Sequence, residues 1–209
     1  MEILEEVNGW NLAAEERRVV CLVSRCVECG SREVVFYEAR DRVFLALVAM
    51  MVIRLASYVV RFRCRRCGKR MTQWPPFAVR YGRYVKQVVL ELSGAYVEDS
   101  KATYRGVAEF IGYEGKTEEI DERKLAPGTV WRWLGKLGKM GSTLQRAKEL
   151  ILEKRPWDDL HRQVEPIPAR KYRSKKRKRV LTVARDLMRA ERRFVELFGR
   201  SCLPGFVTA

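Results

Sequence analysis

Residues 58–70 read YVVRFRCRRCGKR, and an earlier stretch, residues 26–30, reads CVECG. Each contains a CxxCG unit, and residues 30–63 separate the two cysteine pairs. Two such pairs in one short module have the spacing of a structural zinc site, because each turn presents two thiolates and two turns complete a tetrahedron. The glycine after each pair is expected at positive φ, so that backbone N–H groups point at the sulfurs. The sequence therefore predicts bound Zn²⁺, and its ligands would be Cys26, Cys29, Cys64 and Cys67. Buried or redox-active thiols are the alternative.

The segments beside these pairs have the composition of short β-strands. Residues 33–38 (EVVFYE) and 58–63 (YVVRFR) are rich in Val, Phe and Tyr, and the second runs straight into a cysteine pair. This predicts a zinc ribbon over residues 21–78, in which strands lead into the metal turns and the metal supplies folding free energy. A helix within residues 43–53 is left open.

The most apolar stretch, residues 43–60 (VFLALVAMMVIRLASYVV), approaches the length of a transmembrane helix. Arg54 lies near its middle, and a charge there is costly in a bilayer. A span would also place the two cysteine pairs on opposite sides of the membrane. We therefore expect buried strands here and no membrane partner.

The cellular context follows from the cysteines and the N-terminus. The opening residues 1–20 lack the layout of a secretory signal, which predicts a cytoplasmic, nucleoid-associated protein. In a reducing compartment, six cysteines favour metal binding over disulfides. Cys21 and Cys202 have no partner at ligand spacing and are expected to be ordinary thiols.

The charge balance restricts the function classes. The 209 residues carry 42 Lys plus Arg against 26 Asp plus Glu, a formal net charge of +16. A surface this positive favours a polyanion over a small-molecule substrate. His161 is the one histidine, which leaves little room for imidazole-based acid–base or triad chemistry.

A basic stretch without Asp or Glu extends over residues 54–89. Aromatic residues are interleaved with its cations and are available for packing or for base stacking: Tyr58, Phe62, Trp74, Phe77, Tyr81 and Tyr84. The pattern is typical of a surface that follows phosphates, and an ordinary solvated face is the alternative. The predicted nucleic-acid contacts in this stretch are Arg61, Arg63, Arg65, Arg66, Lys69 and Arg70.

Beyond a predicted boundary at residues 74–76 (WPP), the apolar periodicity becomes helical. Helices are expected over residues 83–96 and 103–112, the second with the composition of the first helix of a helix-turn-helix. Pro127 is expected in the first turn of a further helix. On that helix one face is apolar (Val130, Trp133, Leu134 and Leu137) and the other carries predicted DNA contacts (Arg132, Lys136 and Lys139, with Thr129 nearby). An ordinary helical hairpin is the alternative, because the connection is about a dozen residues longer than in a standard motif.

The C-terminal part predicts a helix over residues 142–154, a Pro-containing linker, a cationic arm and a last helix. Residues 170–179 read RKYRSKKRKR and are expected to act as an electrostatic arm on DNA. The predicted contacts of this arm are Lys175, Lys176, Arg177, Lys178 and Arg179. Residues 180–198 have amphipathic periodicity, and this helix could pack on the core or pair with a second copy. Its predicted apolar contacts are Leu181, Val183, Ala184, Leu187, Phe194, Val195 and Leu197.

The order of these motifs resembles the N-terminal DNA-binding region of bacterial insertion-sequence transposases, and short transposase-like proteins of unassigned function. The resemblance rests on CVECG, VVRFRCRRCGKRMTQWPPF, TYRGVAEFIG and LAPGTVWRWLGKLG, within residues 21–140. It implies a zinc ribbon with the four cysteines as ligands, and a helix-turn-helix whose helix at residues 129–139 reads the inverted repeats of an element. Val27 departs from the pattern, since such knuckles often have Pro there.

The resemblance stops where a catalytic domain would begin. Such transposases continue into a ribonuclease-H-like domain whose three carboxylates hold two divalent metals. After residue 140 the sequence has no alternating strand and helix pattern that would bring together Asp158, Asp159, Glu165 and Asp186. A non-catalytic DNA-binding protein is therefore predicted: an accessory, a remnant or a co-opted regulator. The alternatives are an active recombination enzyme that uses a partner or a cryptic site and, less favoured, an RNA-binding ribbon protein.

Together these patterns predict an α+β fold, with a small β zinc ribbon, a mainly α-helical helix-turn-helix domain and a C-terminal helix. The expected segments are an N-terminal segment (1–20), the ribbon (21–78), the helix-turn-helix domain (79–155), the linker and arm (156–179) and the last helix and tail (180–209). Double-stranded DNA is the expected partner, and a homodimer is a further expectation.

Overall fold

The computed structural model describes residues 2–48, 51–79, 82–109, 112–113, 125–161, 165–203 and 207–208. Its fold is α+β, as the sequence predicts. The helices are α1 Glu2–Glu15, α2 Lys86–Glu98, α3 Tyr104–Glu109, α4 Pro127–Leu137, α5 Gly141–Lys154 and α6 Lys175–Phe198, with short 3₁₀ turns at Asp159–His161 and Ala169–Lys171. The strands are β1 Val34–Val48, β2 Met51–Cys64, β3 Arg70–Gln73, β4 Gly112–Tyr113 and β5 Val207–Thr208.

The chain forms two compact units. The first, here the hairpin unit, contains residues 1–88 and 205–209, and the second, the helical unit, contains residues 89–204. In the hairpin unit, β1 and β2 pair antiparallel, β3 pairs with β2, and β5 pairs with β3.

The β1–β2 hairpin is much longer than the two short strands expected from the sequence. Its pairing runs from Val34 opposite Cys64 to Val48 opposite Met51. The possibility of a helix within residues 43–53 is therefore wrong. Near the tip the hairpin has buried residues on both faces, with Phe44 on one side and Leu47 on the other, whereas Val43 and Arg54 are exposed. A strand buried on both faces has a near-continuous apolar sequence, which explains why this stretch lacks strand alternation and approaches the composition of a membrane helix.

A β-bulge interrupts the hairpin close to its cysteine end. Phe36 pairs with Phe62 and Glu38 pairs with Arg61, which leaves Tyr37 as an extra residue on β1. The bulge changes which face each β1 residue occupies. As a result, Phe36 and Ala39, three residues apart, both pack against the same core cluster.

That cluster lies between the hairpin and α1, a helix that the sequence patterns did not indicate. Its buried members are Ala14, Val19, Val60, Phe62 and Met71. The Trp10 indole N–H of α1 donates to the Tyr58 carbonyl of β2 at 2.9 Å. The helix thus covers the face of β2 next to the cysteine pairs.

The Trp-Pro-Pro segment is part of the hairpin unit's second core rather than a boundary. Trp74 and Phe77 are buried, and both rings meet Phe44 edge-on, with centroids 6.3 and 5.6 Å away. Phe62 is also buried. These three rings therefore pack inside the protein and cannot stack on bases, whereas Tyr81 lies outside the described residues.

In the helical unit, α4 matches its predicted pattern residue by residue. It begins at Pro127, and its buried residues are Val130, Trp133, Leu134 and Leu137. The helix packs against α3 and α6. Gly138, directly after α4, lies so close to α6 that an added Cβ would clash with the Val180 carbonyl oxygen.

The last helix, α6, begins five residues earlier than expected, inside the cationic run. The Ser174 hydroxyl caps it by accepting a hydrogen bond from the Arg177 N–H at 3.1 Å, and Gly199 ends it with φ at 63°. Leu181, Ala184, Leu187 and Phe194 are buried as predicted, but Val195 is exposed.

The two helices proposed as a helix-turn-helix, α3 and α4, contact each other, but most of their connection lies outside the described residues. The helix-turn-helix therefore stays a prediction. Among the described helices, none combines the length and apolarity that crossing a membrane requires.

Candidate metal centre and cationic surfaces

The four predicted metal-binding cysteines come together at the open end of the hairpin. Their sulfurs all lie within 4.8 Å of one another, and this is a group that could hold a metal ion. The Sγ atoms of Cys26 and Cys67 are 3.6 Å apart, and so are those of Cys29 and Cys64. Four sulfurs about 2.3 Å from a central ion in a tetrahedron stand about 3.8 Å apart, so this spacing fits a four-coordinate thiolate site.

The two turns that carry the sulfurs have the same backbone geometry. In the first, the Cys26 N–H donates to the Ser31 carbonyl at 2.8 Å, and in the second the Cys64 N–H donates to the Lys69 carbonyl at 2.9 Å. The glycines that close the turns have φ at 70° and 74°, as the sequence predicts. These are Gly30 and Gly68.

Backbone donors prepare the sulfurs for the thiolate form. In each turn, N–H groups three and two residues further along point at the first sulfur; they lower the pKa of Cys26 and lower the pKa of Cys64 to about 7. The Lys69 N–H acts in the same direction on Cys67, but burial and the three other sulfurs outweigh it and raise the pKa of Cys67 to about 12. Four thiols this close cannot all ionise without a cation among them, so the donor set fits a thiophilic metal.

Two predicted DNA contacts of the hairpin unit form ion pairs within the protein. Arg61 lies 3.0 Å from the Glu38 carboxylate, and the Lys69 ammonium lies 3.4 Å from Glu28 between the first two cysteines. The Glu28–Lys69 pair joins the two cysteine turns on the surface.

The other predicted contacts of this unit are exposed. Arg63 on β2 lies directly opposite Arg70 on β3, so two like charges share one face of the sheet. The Arg70 guanidinium stacks over Tyr37, the bulged residue, at 5.0 Å from the ring centroid. Arg65 and Arg66 are exposed within the second cysteine turn.

The cations predicted on α4 lie opposite its buried face. Arg132 and Lys136 are exposed, and Lys139 is exposed just beyond the helix. The Arg132 guanidinium bonds back to its own helix, with Nε donating to the Gly128 carbonyl at 3.1 Å and an NH₂ group 3.5 Å from the Thr129 hydroxyl.

The five cations of the predicted arm occupy the first turns of α6. Four of them are exposed: Lys175, Lys176, Lys178 and Arg179. Arg177 is half-buried; it donates to the Tyr104 hydroxyl at 2.7 Å and stacks over Trp131, with its guanidinium carbon 4.8 Å from the ring centroid.

Sequence reasoning missed the role of Lys171, within the same cationic run. Its side chain is buried, and its ammonium donates to the Tyr96 carbonyl in the last turn of α2 and to the Asp99 and Ala102 carbonyls just beyond the helix. Burial lowers the pKa of Lys171. A cation that satisfies the last carbonyls of a helix has a structural role, and nothing in a run of Lys and Arg distinguishes this residue from its neighbours.

Two of the carboxylates considered for catalysis share a partner. The buried Asp158 carboxylate lies 2.9 Å from Arg193, and Asp159 lies 3.1 Å from the same guanidinium. Asp186 is 3.6 Å from Arg185.

No family model, no curated protein and no solved structure matches the chain. The functional interpretation therefore depends on the residues themselves.

Proposed function

We propose that the protein is a zinc-stabilised DNA-binding protein without catalytic activity of its own, related in role to the DNA-recognition part of a transposase. The observation that carries the proposal is the position of exposed cations on the turn that supplies two of the four sulfurs. Arg65 and Arg66 lie between Cys64 and Cys67, so a metal that orders the turn also orders its cations.

Zinc is the proposed ion because of the ligand set. Four cysteine sulfurs at tetrahedral spacing are typical of structural zinc sites, which leave no open position for substrate. When bound, the ion would supply folding free energy and charge compensation to four thiolates. Cys26, Cys29, Cys64 and Cys67 would hold it.

Duplex DNA is the proposed partner because the free protein holds cations in two unfavourable positions. Arg63 and Arg70 face each other across adjacent strands, where like charges destabilise the pairing. Lys175 and Lys176 lie at the N-terminus of α6, where the helix dipole favours anions instead. A phosphate backbone would relieve both repulsions and gain affinity from counterion release.

The non-catalytic part of the proposal is supported by Asp158 and Asp159. Arg193 forms ion pairs with both carboxylates, and a metal-dependent nuclease would need such groups available for divalent cations. The runner-up, a recombination enzyme that needs a partner, predicts Mg²⁺- or Mn²⁺-dependent nicking of DNA. Nicking that disappears in both Asp158→Asn and Asp186→Asn would replace the proposal with that alternative.

The central experiment combines metal analysis with DNA binding on the same preparation. Purified protein should contain about one zinc per chain, and its affinity for a labelled duplex should fall steeply from low to moderate salt. In the Arg65→Gln/Arg66→Gln double variant, the slope of log affinity against log salt should decrease by about one per lost phosphate contact.

The matched control removes two cations from α5, outside all predicted contacts, in the double variant Arg146→Gln/Lys148→Gln. It should retain the wild-type slope. A salt response that is flat in the wild type contradicts a phosphate-led interface, and stronger competition by structured RNA than by unlabelled duplex favours the RNA-binding alternative.

A further inference from the structure

The helical unit contains a cavity of about 500 Å³ to which the predicted functions assign no ligand, although one predicted DNA contact, Arg177, lines it. It lies where the end of α2, the start of α3, the exposed side of α4 and residues 170–177 meet. A volume of this size falls within the range of small-ligand sites, roughly 300–1,000 Å³.

Charge is the first property that selects a ligand for this cavity. Of the described residues that line it, five are Lys or Arg and none is Asp or Glu. The five are Lys101, Arg170, Lys171, Arg173 and Arg177. Such a lining excludes cationic ligands and favours an anion with several acceptor oxygens, such as a phosphate group.

Aromatic surface is the second property. Tyr96 and Tyr104 stack in parallel, with ring centroids 3.9 Å apart, and both line the cavity. Trp131 contributes an indole ring that is 51% exposed although it is large and apolar. Because Tyr96 is only 4% exposed, the Trp131 indole is the main surface on which a planar base can stack, and a phosphate alone has no use for such a ring.

The side chains of the cavity are held in place before any ligand arrives. Arg177 is fixed between the Tyr104 hydroxyl, at 2.7 Å, and the Trp131 ring. Lys171 lies 4.2 Å from the Tyr96 ring centroid while it donates to the carbonyls at the end of α2. Because these groups are already ordered, binding would cost little side-chain entropy.

We infer that this cavity binds a nucleoside monophosphate unit, with the base stacked against Trp131 and the phosphate among the arginines, and that its source is an unpaired nucleotide of a DNA strand. The choice of DNA as the source rests on the proposed function, whereas the nucleotide chemistry of the cavity does not. A free mononucleotide is the other source of the same chemistry.

The test compares two labelled DNA duplexes of equal length with full-length, metal-loaded protein, one blunt and one with a short single-stranded overhang. Because stacking of one base is worth at least about 1 kcal/mol, the overhang should bind at least about fivefold tighter. In Trp131→Ala this ratio should fall towards one, whereas Trp157→Ala, which removes an exposed Trp outside the cavity, should keep the wild-type ratio. Arg173→Gln should also lower the ratio, because it removes a cation of the cavity while the Trp131 ring is retained.

A second titration uses free dTMP and inorganic phosphate with the same protein, followed by tryptophan fluorescence. Saturable binding of dTMP, lost in Trp131→Ala and not reproduced by phosphate, supports the cavity even if duplex DNA does not bind and the proposed function fails. Binding of dTMP with equal affinities for both duplexes overturns the DNA-strand source. Equal affinities together with no dTMP binding, or phosphate binding as tight as dTMP, overturn the inference.

Discussion

The two units are stabilised in different ways. The hairpin unit brings together four cysteine sulfurs that need a cation, whereas the helical unit consists of amphipathic helices that pack through their apolar faces. Around the cysteine end, the apolar cluster beneath α1 has five buried members among the residues that the structure describes. In the helical unit, α4, α5 and α6 contribute long buried faces, and Leu134, Ile151, Leu181 and Leu187 are almost completely inaccessible. The stability of the cysteine end of the hairpin unit should therefore depend on an ion, and that of the helical unit on side-chain volume.

The largest expected effect is a loss of folding stability in the hairpin unit, with no change in the helical unit. Cys64→Ser removes one of four ligands, so the variant should lose its metal and with it several kcal/mol of folding free energy in that unit. Hydrogen exchange should show lost protection in β2 and retained protection in α6. Cys21→Ser, outside the cluster, is the control and should keep the metal. Wild-type protection of β2 in metal-free Cys64→Ser would contradict ion-dependent stability.

The next effect tests the dependence of the helical unit on volume. Gly138→Ala should destabilise that unit by about 1–3 kcal/mol, because the new methyl group overlaps the Val180 backbone. Chemical denaturation followed by circular dichroism measures the change, and metal content should not alter. Gly135→Ala is matched to it, since nothing lies within 4 Å of the added atom and the helix gains propensity. Similar losses in both variants would show that the close approach is unimportant.

The third prediction concerns a glycine in the second cysteine turn, where the expected loss of folding free energy is about 1–2 kcal/mol. Gly68→Ala forces a side chain into the left-handed conformation at φ 74°, so the metal-bound hairpin unit should unfold more readily and release its metal to a chelator faster. The comparison is Gly94→Ala in α2, where the space is open and φ is not positive, and where the change should be stabilising. Chelator-induced release measured by a colorimetric metal indicator decides between them.

The smallest effect concerns the like charges on the sheet. Arg63→Gln should stabilise the free hairpin unit by about 0.2–1 kcal/mol at low salt, since it removes the repulsion by Arg70, yet it should weaken DNA binding. Arg40→Gln breaks the ion pair with Glu38 instead and should be neutral or slightly destabilising. Opposite signs for stability and affinity at Arg63 would indicate that the charge is kept for a polyanion. A loss of both would identify a structural role.

The two units also differ in how far their structure could be predicted from the sequence. The helical periodicity predicted all four buried residues of α4, because a helix buried on one face alone leaves a clear stripe. The cysteine spacing likewise placed four sulfurs together, with a positive φ at Gly30 and Gly68. In both cases a local rule determines the structure.

The sequence patterns did not predict burial that depends on segments far apart in the chain. Phe44 is covered by Trp74 and Phe77, so the hairpin tip loses its alternation and Trp74 could not be recognised as a core residue. The start of α6 depends on the single hydroxyl of Ser174, whose effect is hidden by the surrounding cations. The cavity was missed for a similar reason, because its rings and cations come from separate parts of the helical unit.

The extra residue in β1 sets the phase between the two ends of the hairpin. If Tyr37 instead took a regular place in the ladder, the residues from Val34 to Phe36 would each pair one position further along β2 and turn to the opposite face from the one they occupy now. Burial of the apolar residues at the cysteine end and at the tip would then require two different registers of β1 against β2. Deletion of Tyr37 would therefore leave every other pairing and face unchanged, whereas insertion of one residue into β2 between Arg61 and Phe62 would give Tyr37 a partner and reverse the face of the cysteine end relative to the tip.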